Sequence, residues 1–204
     1  MATLMSLSVM NLLSEPMRQI MGLSAQDTYT RLVGFAPVNA VEPMLRSVKP
    51  TQVLSGLARD VDLATCALAG TWLWFDLEPQ AHAIVQSHAD GTGAVWHAIL
   101  HRREGDFSNA KYWVRQVGRH PAYSAIAARV GGMLCDLPAD KSLLKLAASS
   151  WDAAAFVDLI ADAERSNDPT RRRLAVEIQR CEWMTLFEWT VMKASGIEAD
   201  VLRG

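Results

Sequence analysis

The chain has 204 residues, of which 50% are hydrophobic and 21% charged, and its 20 Lys and Arg stand against 22 Asp and Glu for a formal net charge of −2. That length and apolar content can close a sizeable core and exclude a disordered chain. The near-neutral balance removes the electrostatic footprint of a nucleic-acid or acidic-surface binder, so nucleic acid is not an expected partner.

At the N-terminus, MATLMSLSVMNLL is apolar, but the first basic residue is Arg18, so the charged start of a secretory signal is missing. Leu4, Met5, Leu7, Val9, Met10, Leu12 and Leu13 read instead as an apolar arm that packs on the body of the protein or on a second copy of the chain, which makes a homo-oligomer an expectation. Pro16, Pro37, Pro43 and Pro50 punctuate residues 1–50, where one helix is predicted over 27–35. This part reads as short helices laid on a main helical body, 51–204, within one structural domain.

From residue 51 onward the helical signals lengthen. A strongly apolar helix is predicted over 62–77, with its longest apolar run, CALAGTWLWF, ending at Asp76. Crossing a bilayer takes about 20 apolar residues, so no membrane span is expected. Glu78-Pro79 breaks the path, because a proline ring clashes with the preceding turn and donates no backbone hydrogen bond. Helices follow over 80–88, 93–103 and 107–117, the last capped by Asp106. His120-Pro121 opens a helix toward Met133, Leu137-Pro138-Ala139-Asp140 opens a short one through Leu146, and Asp152 caps one running to Arg165. Asn167-Asp168-Pro169 begins the last and longest, which stops at Gly196-Ile197. With no sustained two-residue alternation and no Asn-Gly or Asp-Gly hairpin signal, the fold class is all-α, a compact bundle-like arrangement in which 62–77 and 169–195 are the most buried helices.

All five histidines, His82, His88, His97, His101 and His120, fall within 39 consecutive residues. On a helix, His97, His101 and Glu104 form an i, i+4, i+7 row along one face. Two imidazoles one turn apart can ligate one divalent ion, with His82 or Asp76 as further candidate ligands, or can transfer protons beside a carboxylate. The row lacks the fixed base of H-E-x-x-H, so neutral, hydrogen-bonded histidines are its plainer reading, and no metal is the expectation. Gln86 shares a helix face with His82, and Asn109, Tyr112 and Trp113 border the next amphipathic helix. Asp76, following WLWF, needs a partner such as His82, Arg102 or Arg103. Lys111, Arg115, Arg119 and His120 read as a solvated face. On the last helix Glu177, Cys181, Met184 and Glu188 share a row without the Glu-x-x-His of carboxylate-bridged metal bundles. Neither G-x-G-x-x-G nor G-x-x-x-x-G-K-[ST] occurs, nor a G-x-S-x-G elbow, so no nucleotide cofactor or hydrolase triad is indicated. Cys66, Cys135 and Cys181 show no C-x-x-C spacing, which argues against a disulfide framework and for a reducing, cytoplasmic compartment.

The string LHRREGDFSNAKYWVRQVGRHP, residues 100–121, with WLWFDLEPQAHAIVQ upstream, resembles a group of uncharacterised helical proteins carrying similar HRRE-D-NAKYW-R-HP strings. The resemblance covers residues 66–125 and implies no activity or cofactor. Taken together, the expectation is a pocket between helices for a small polar ligand. His82, Gln86, Arg102, Arg103, Asn109, Tyr112 and Trp113 line it, and His97, His101 and Glu104 are the candidates for acid/base work. The alternatives are a helical interaction protein whose His/Arg/Glu cluster is a buried polar network, and a divalent-metal site on the His97/His101 helix.

Overall fold

The computed structural model describes residues 5–24, 28–135, 141–166 and 168–198. Asp60 begins the first long helix by accepting a hydrogen bond from the Leu63 amide, and the apolar run behind it forms α4 (Val61–Trp74). Before it come α1 (Leu7–Leu12), α2 (Glu15–Gly22) and α3 (Glu42–Ser47). After it follow α5 (Glu78–Ser87), α6 (Gly91–Glu104), α7 (Phe107–Val117), α8 (Ala122–Cys135), α9 (Lys141–Leu144), α10 (Ala153–Arg165) and α11 (Pro169–Ala194). Among the described residues there is no strand, only an isolated antiparallel bridge between Leu13 and Leu54, so the chain is all-α as expected. No described helix is long and apolar enough to cross a membrane.

The capping residues act as the sequence implies. Asp106, Asp152 and Asp168 each accept from backbone amides in the first turn of α7, α10 and α11, satisfying donors that have no partner within the helix. Gly196 stops α11 at φ 80°, and the Ile197 amide donates back to the Met192 carbonyl. At Pro79 the chain does not kink a helix. Asp76, at φ 58°, turns the path, and proline sits in the first turn of α5, where its missing N–H costs nothing.

Two expectations change, the helix over 27–35 and the most buried helices, while the arm takes the first of its two expected placements, on the body of the protein. Residues 28–35 are irregular rather than helical: Tyr29 and Gly34 have positive φ, and the segment is tied to the body by Arg103, Gln179 and Arg180. These tertiary hydrogen bonds outweigh local helix propensity. The arm is two short helices, with Met5, Val9, Leu13 and Met17 inside the chain's own core while Leu7 is exposed. The most buried helix is α6, every residue of which from Thr92 to Arg103 is shielded, although its polar content hid this. Leu4, Asp27, Asn167 and the 137–140 start lie outside the described residues.

α6 packs against α4, α5 and α7, while α11 packs against α4, α8 and α10, so α4 joins the two halves of the body. The α4–α6 approach is close because Gly70 lies against the Trp96 ring; a Cβ there would come within 2.7 Å of it. Trp96 in turn meets Trp183 of α11, which stacks on Phe187 and lies 4.3 Å from the Trp74 ring. Such rings bury large areas and fix their mutual angles.

Charges inside this core are paired. Arg102 grips Glu182 of α11 with both terminal nitrogens, and Trp151 Nε1 donates to the same carboxylate at 2.8 Å. Both ionic side chains are only 2% exposed. Removing one member of a buried pair leaves the other charge uncompensated, so Arg102→Ala should cost about 3–5 kcal/mol. Urea unfolding is the measurement. An Arg102→Met, Glu182→Leu double variant should recover most of that loss.

Candidate functional site

The site is built from three helices, each giving two side chains one turn apart: Glu78 and His82 on α5, His97 and His101 on α6, and Asn109 and Trp113 on α7. Residues at i and i+4 share a helix face, and the short connections from α5 to α6 and from α6 to α7 bring these faces together. Gly105, at φ 85°, makes the second connection possible, because the left-handed cap it forms disfavours other residues.

His97 is 4% exposed and sandwiched, with the Trp113 ring 4.0 Å to one side and the His101 ring 4.7 Å to the other. Its Nε2 lies 3.3 Å from His82 Nε2, and its Nδ1 is buried with no hydrogen-bond partner. Burial, reinforced by His101 and His82, pushes its pKa down to about 4, so the ring is neutral at pH 7 with lone pairs available. His101 is anchored at both ends. Its Nδ1 donates to Glu104 Oε2 at 2.6 Å, and its Nε2 lies 3.1 Å from Asn109 Nδ2, which donates to it. His82 Nδ1 is 3.3 Å from Glu78 Oε1 and 3.8 Å from Glu104 Oε1. The side chains of His82, Glu78 and Glu104 are 33%, 25% and 27% exposed, so the cluster opens to solvent on their side.

Donor atoms from His82, His97 and His101 all lie within 4.8 Å of one another, and so do donor atoms from Glu78, His82 and Glu104. An ion with bonds of about 2.1 Å in tetrahedral geometry separates its ligands by about 3.4 Å. The 3.3 Å between His82 and His97 is close to that edge.

Of the other residues read from the sequence as site candidates, Asp76 and Arg103 bind each other, at 2.8 Å, and Asp76 Oδ2 also accepts from the Ala36 amide. Arg102 faces Glu182. These three sit in the core, apart from the imidazoles. Tyr112 is 46% exposed with its ring edge against Trp113, and Gln86 is exposed one turn beyond His82. Glu78 was missed, although its i, i+4 spacing to His82 was visible; so was Glu182, which no local pattern joins to Arg102. Lys111 pairs with Asp158, and Glu188 of the α11 row pairs with Arg129 and accepts from the Ser6 amide. Cys66, Cys135 and Cys181 are unpaired.

His88 and His120 serve elsewhere. His88 Nδ1 reaches the Ile84 carbonyl, and His120 bridges α6 and the start of α8 by accepting from the Ala122 amide and meeting Thr92 Oγ1. No family model, curated protein or solved structure matches the chain.

Burial also lowers the His120 pKa to about 4. With an unfolded value of about 6.5, the unfolded chain binds more protons between these limits, so stability is full above pH 6.5 and is lost as pH falls toward 4. Thermal melting across this range should show the fall. His120→Asn should give a shallower slope than the native chain.

Proposed function

We propose that the protein binds a divalent transition-metal ion through His82, His97 and His101 and presents it to a small polar ligand entering beside His82 and Glu104. The observation that carries this reading is His97. Neutral, hydrogen-bonded core histidines should each find a carboxylate, carbonyl or water, as His101 does with Glu104. His97 Nε2 instead faces another imidazole nitrogen, His82 Nε2 at 3.3 Å, and donor atoms of His82, His97 and His101 lie within 4.8 Å of one another. An ion among these three rings would take the His97 Nε2 lone pair and leave that ring's hydrogen on the buried Nδ1.

Imidazole ligands suit zinc, copper, nickel and iron, and three histidines around one ion leave a position open for water or a ligand. Glu104, holding His101 Nδ1, fixes the orientation of that ring as outer carboxylates do in histidine metal sites. Binding at His101 Nε2 displaces the Asn109 amide, a hydrogen bond worth about 1 kcal/mol. Glu78 and Glu104 are the carboxylates beside His82 at the exposed side of the cluster and would serve as proton acceptors there, while a bound ion would supply Lewis acidity.

A second reading, acid/base chemistry or ligand binding without metal, is favoured by His101 alone, whose Glu104 and Asn109 contacts leave it satisfied. The interaction-protein reading draws on Arg102 and Arg103, whose charges are paired inside the core by Glu182 and Asp76.

Calorimetric titration of chelator-treated protein with Zn2+ separates these. Binding should occur, and His97→Ala should weaken it by more than the roughly 10–100-fold typical of losing an outer-shell contact. Circular dichroism checks that the variant is folded. A native chain that binds no Zn2+, Cu2+, Ni2+ or Fe2+ overturns the metal reading.

A further inference from the structure

His82 faces two ways. Its Nε2 looks inward to His97, where the neighbouring donors are imidazoles, and its Nδ1 looks outward to Glu78 and Glu104. The inner set of three histidines and the outer set of Glu78, His82 and Glu104 share the His82 ring, whose Nε2 lies 3.3 Å from His97 and whose Nδ1 lies 3.3 and 3.8 Å from Glu78 and Glu104. In the outer set the separations of 3.3 and 3.8 Å from Nδ1 to the two carboxylates fit ligands of one ion with bonds of about 2.0–2.2 Å.

We propose that the site is a two-ion centre in which the His82 ring bridges the inner ion at Nε2 and an outer ion at Nδ1. This extends the metal reading above and rests on it. The electrostatics distinguish the two positions. The inner one is lined by nitrogen donors and is largely shielded; the outer one meets two carboxylates, whose two negative charges match a second dication. Glu104 links the positions, since Oε2 accepts from His101 Nδ1 while Oε1 faces the outer ion.

The step balances simply. When the outer ion binds, the N–H bond at His82 Nδ1 breaks, the nitrogen lone pair forms the new bond to the ion, and one proton leaves to solvent. No electron changes hands. With bonds of about 2.0–2.1 Å on either side of one ring, the ions stand about 6 Å apart. That exceeds the roughly 3.5–4 Å of oxygen-bridged pairs, so the outer ion serves to set the charge of the bridging ring and to bind anionic or carbonyl groups of the ligand rather than to share one water with the inner ion.

The test is a Cu2+ titration of chelator-treated protein at pH 8, followed by electron paramagnetic resonance and calorimetry. The native chain should bind two equivalents. The resonance should grow to one equivalent and then shrink, because spins joined through one imidazole ring couple antiferromagnetically. Glu78→Gln should keep the first equivalent and weaken the second at least tenfold, leaving a full single-ion signal. His82→Ala should abolish the signal loss at any loading. Saturation at one equivalent with no effect of Glu78→Gln overturns the bridge and leaves the single-ion reading standing. Two equivalents whose signals simply add also overturn the bridge. No binding overturns both readings together.

Discussion

The buried ion pairs of Arg102 and Arg103 and the imidazole cluster all depend on the burial of α6. A helix with no solvent face over twelve positions would ordinarily be apolar throughout, yet α6 ends in His101-Arg102-Arg103 before Glu104. Successive helical residues point about 100° apart, so each of these side chains faces a different neighbour. His101 meets α7, Arg102 meets α11, and Arg103 meets the turn after α4 together with the 28–36 segment. A buried charge without a partner costs several kcal/mol, and so the surrounding elements can occupy only those positions that supply one. The four-residue string thus acts as a register device for the body, each of its side chains fixing a different neighbour.

The sequence made some of this legible and hid the rest for definite reasons. Asp106, Asp152, Asp168 and Gly196 announce their helix ends because capping is local, within three residues. The His97, His101, Glu104 row was readable because it lies on one helix. Its meeting with His82 was not, since the approach of two helices depends on packing such as Gly70 under Trp96, which no spacing encodes. For the same reason Arg102 and Arg103 read as ligand-binding when seen alone. Glu182 lies 80 residues from Arg102, and only the fold places that carboxylate opposite the guanidinium. The 28–35 segment failed as a helix because its backbone is held by side chains of α6 and α11, contacts of large sequence separation that override propensity.

The aromatic residues have divided roles that composition cannot separate. Trp74, Trp96 and Trp183 form a contiguous cluster of mutually tilted rings, joined by Tyr29, whose hydroxyl burial raises to a pKa of about 12 and whose face receives the Arg103 guanidinium at 4.3 Å. Trp113 stands apart on α7 and covers His97. That cover contributes to the burial that, ahead of His101 and His82, lowers the imidazole pKa to about 4. The same residue type therefore builds a core in one place and tunes a donor in another.

The neighbouring charges explain why the two faces of His82 differ. Inward, positive charge is opposed by burial and by two further imidazoles, so protonation of His97 is suppressed and only an ion that coordinates can enter with profit. Outward, the Glu78 and Glu104 carboxylates lie 3.3 and 3.8 Å from His82 Nδ1 and attract cations. The imidazole ring joins these two environments directly, because its two nitrogens belong to one π system and a change in bonding at either alters the basicity of the other. A centre that joins a shielded nitrogen-donor position to a half-exposed carboxylate position through one ring can transmit the arrival of a charged ligand at the mouth to the donor strength at the base. The i, i+4 pairs on α5 and α6, with Glu104 three residues beyond His101, supply every group this requires.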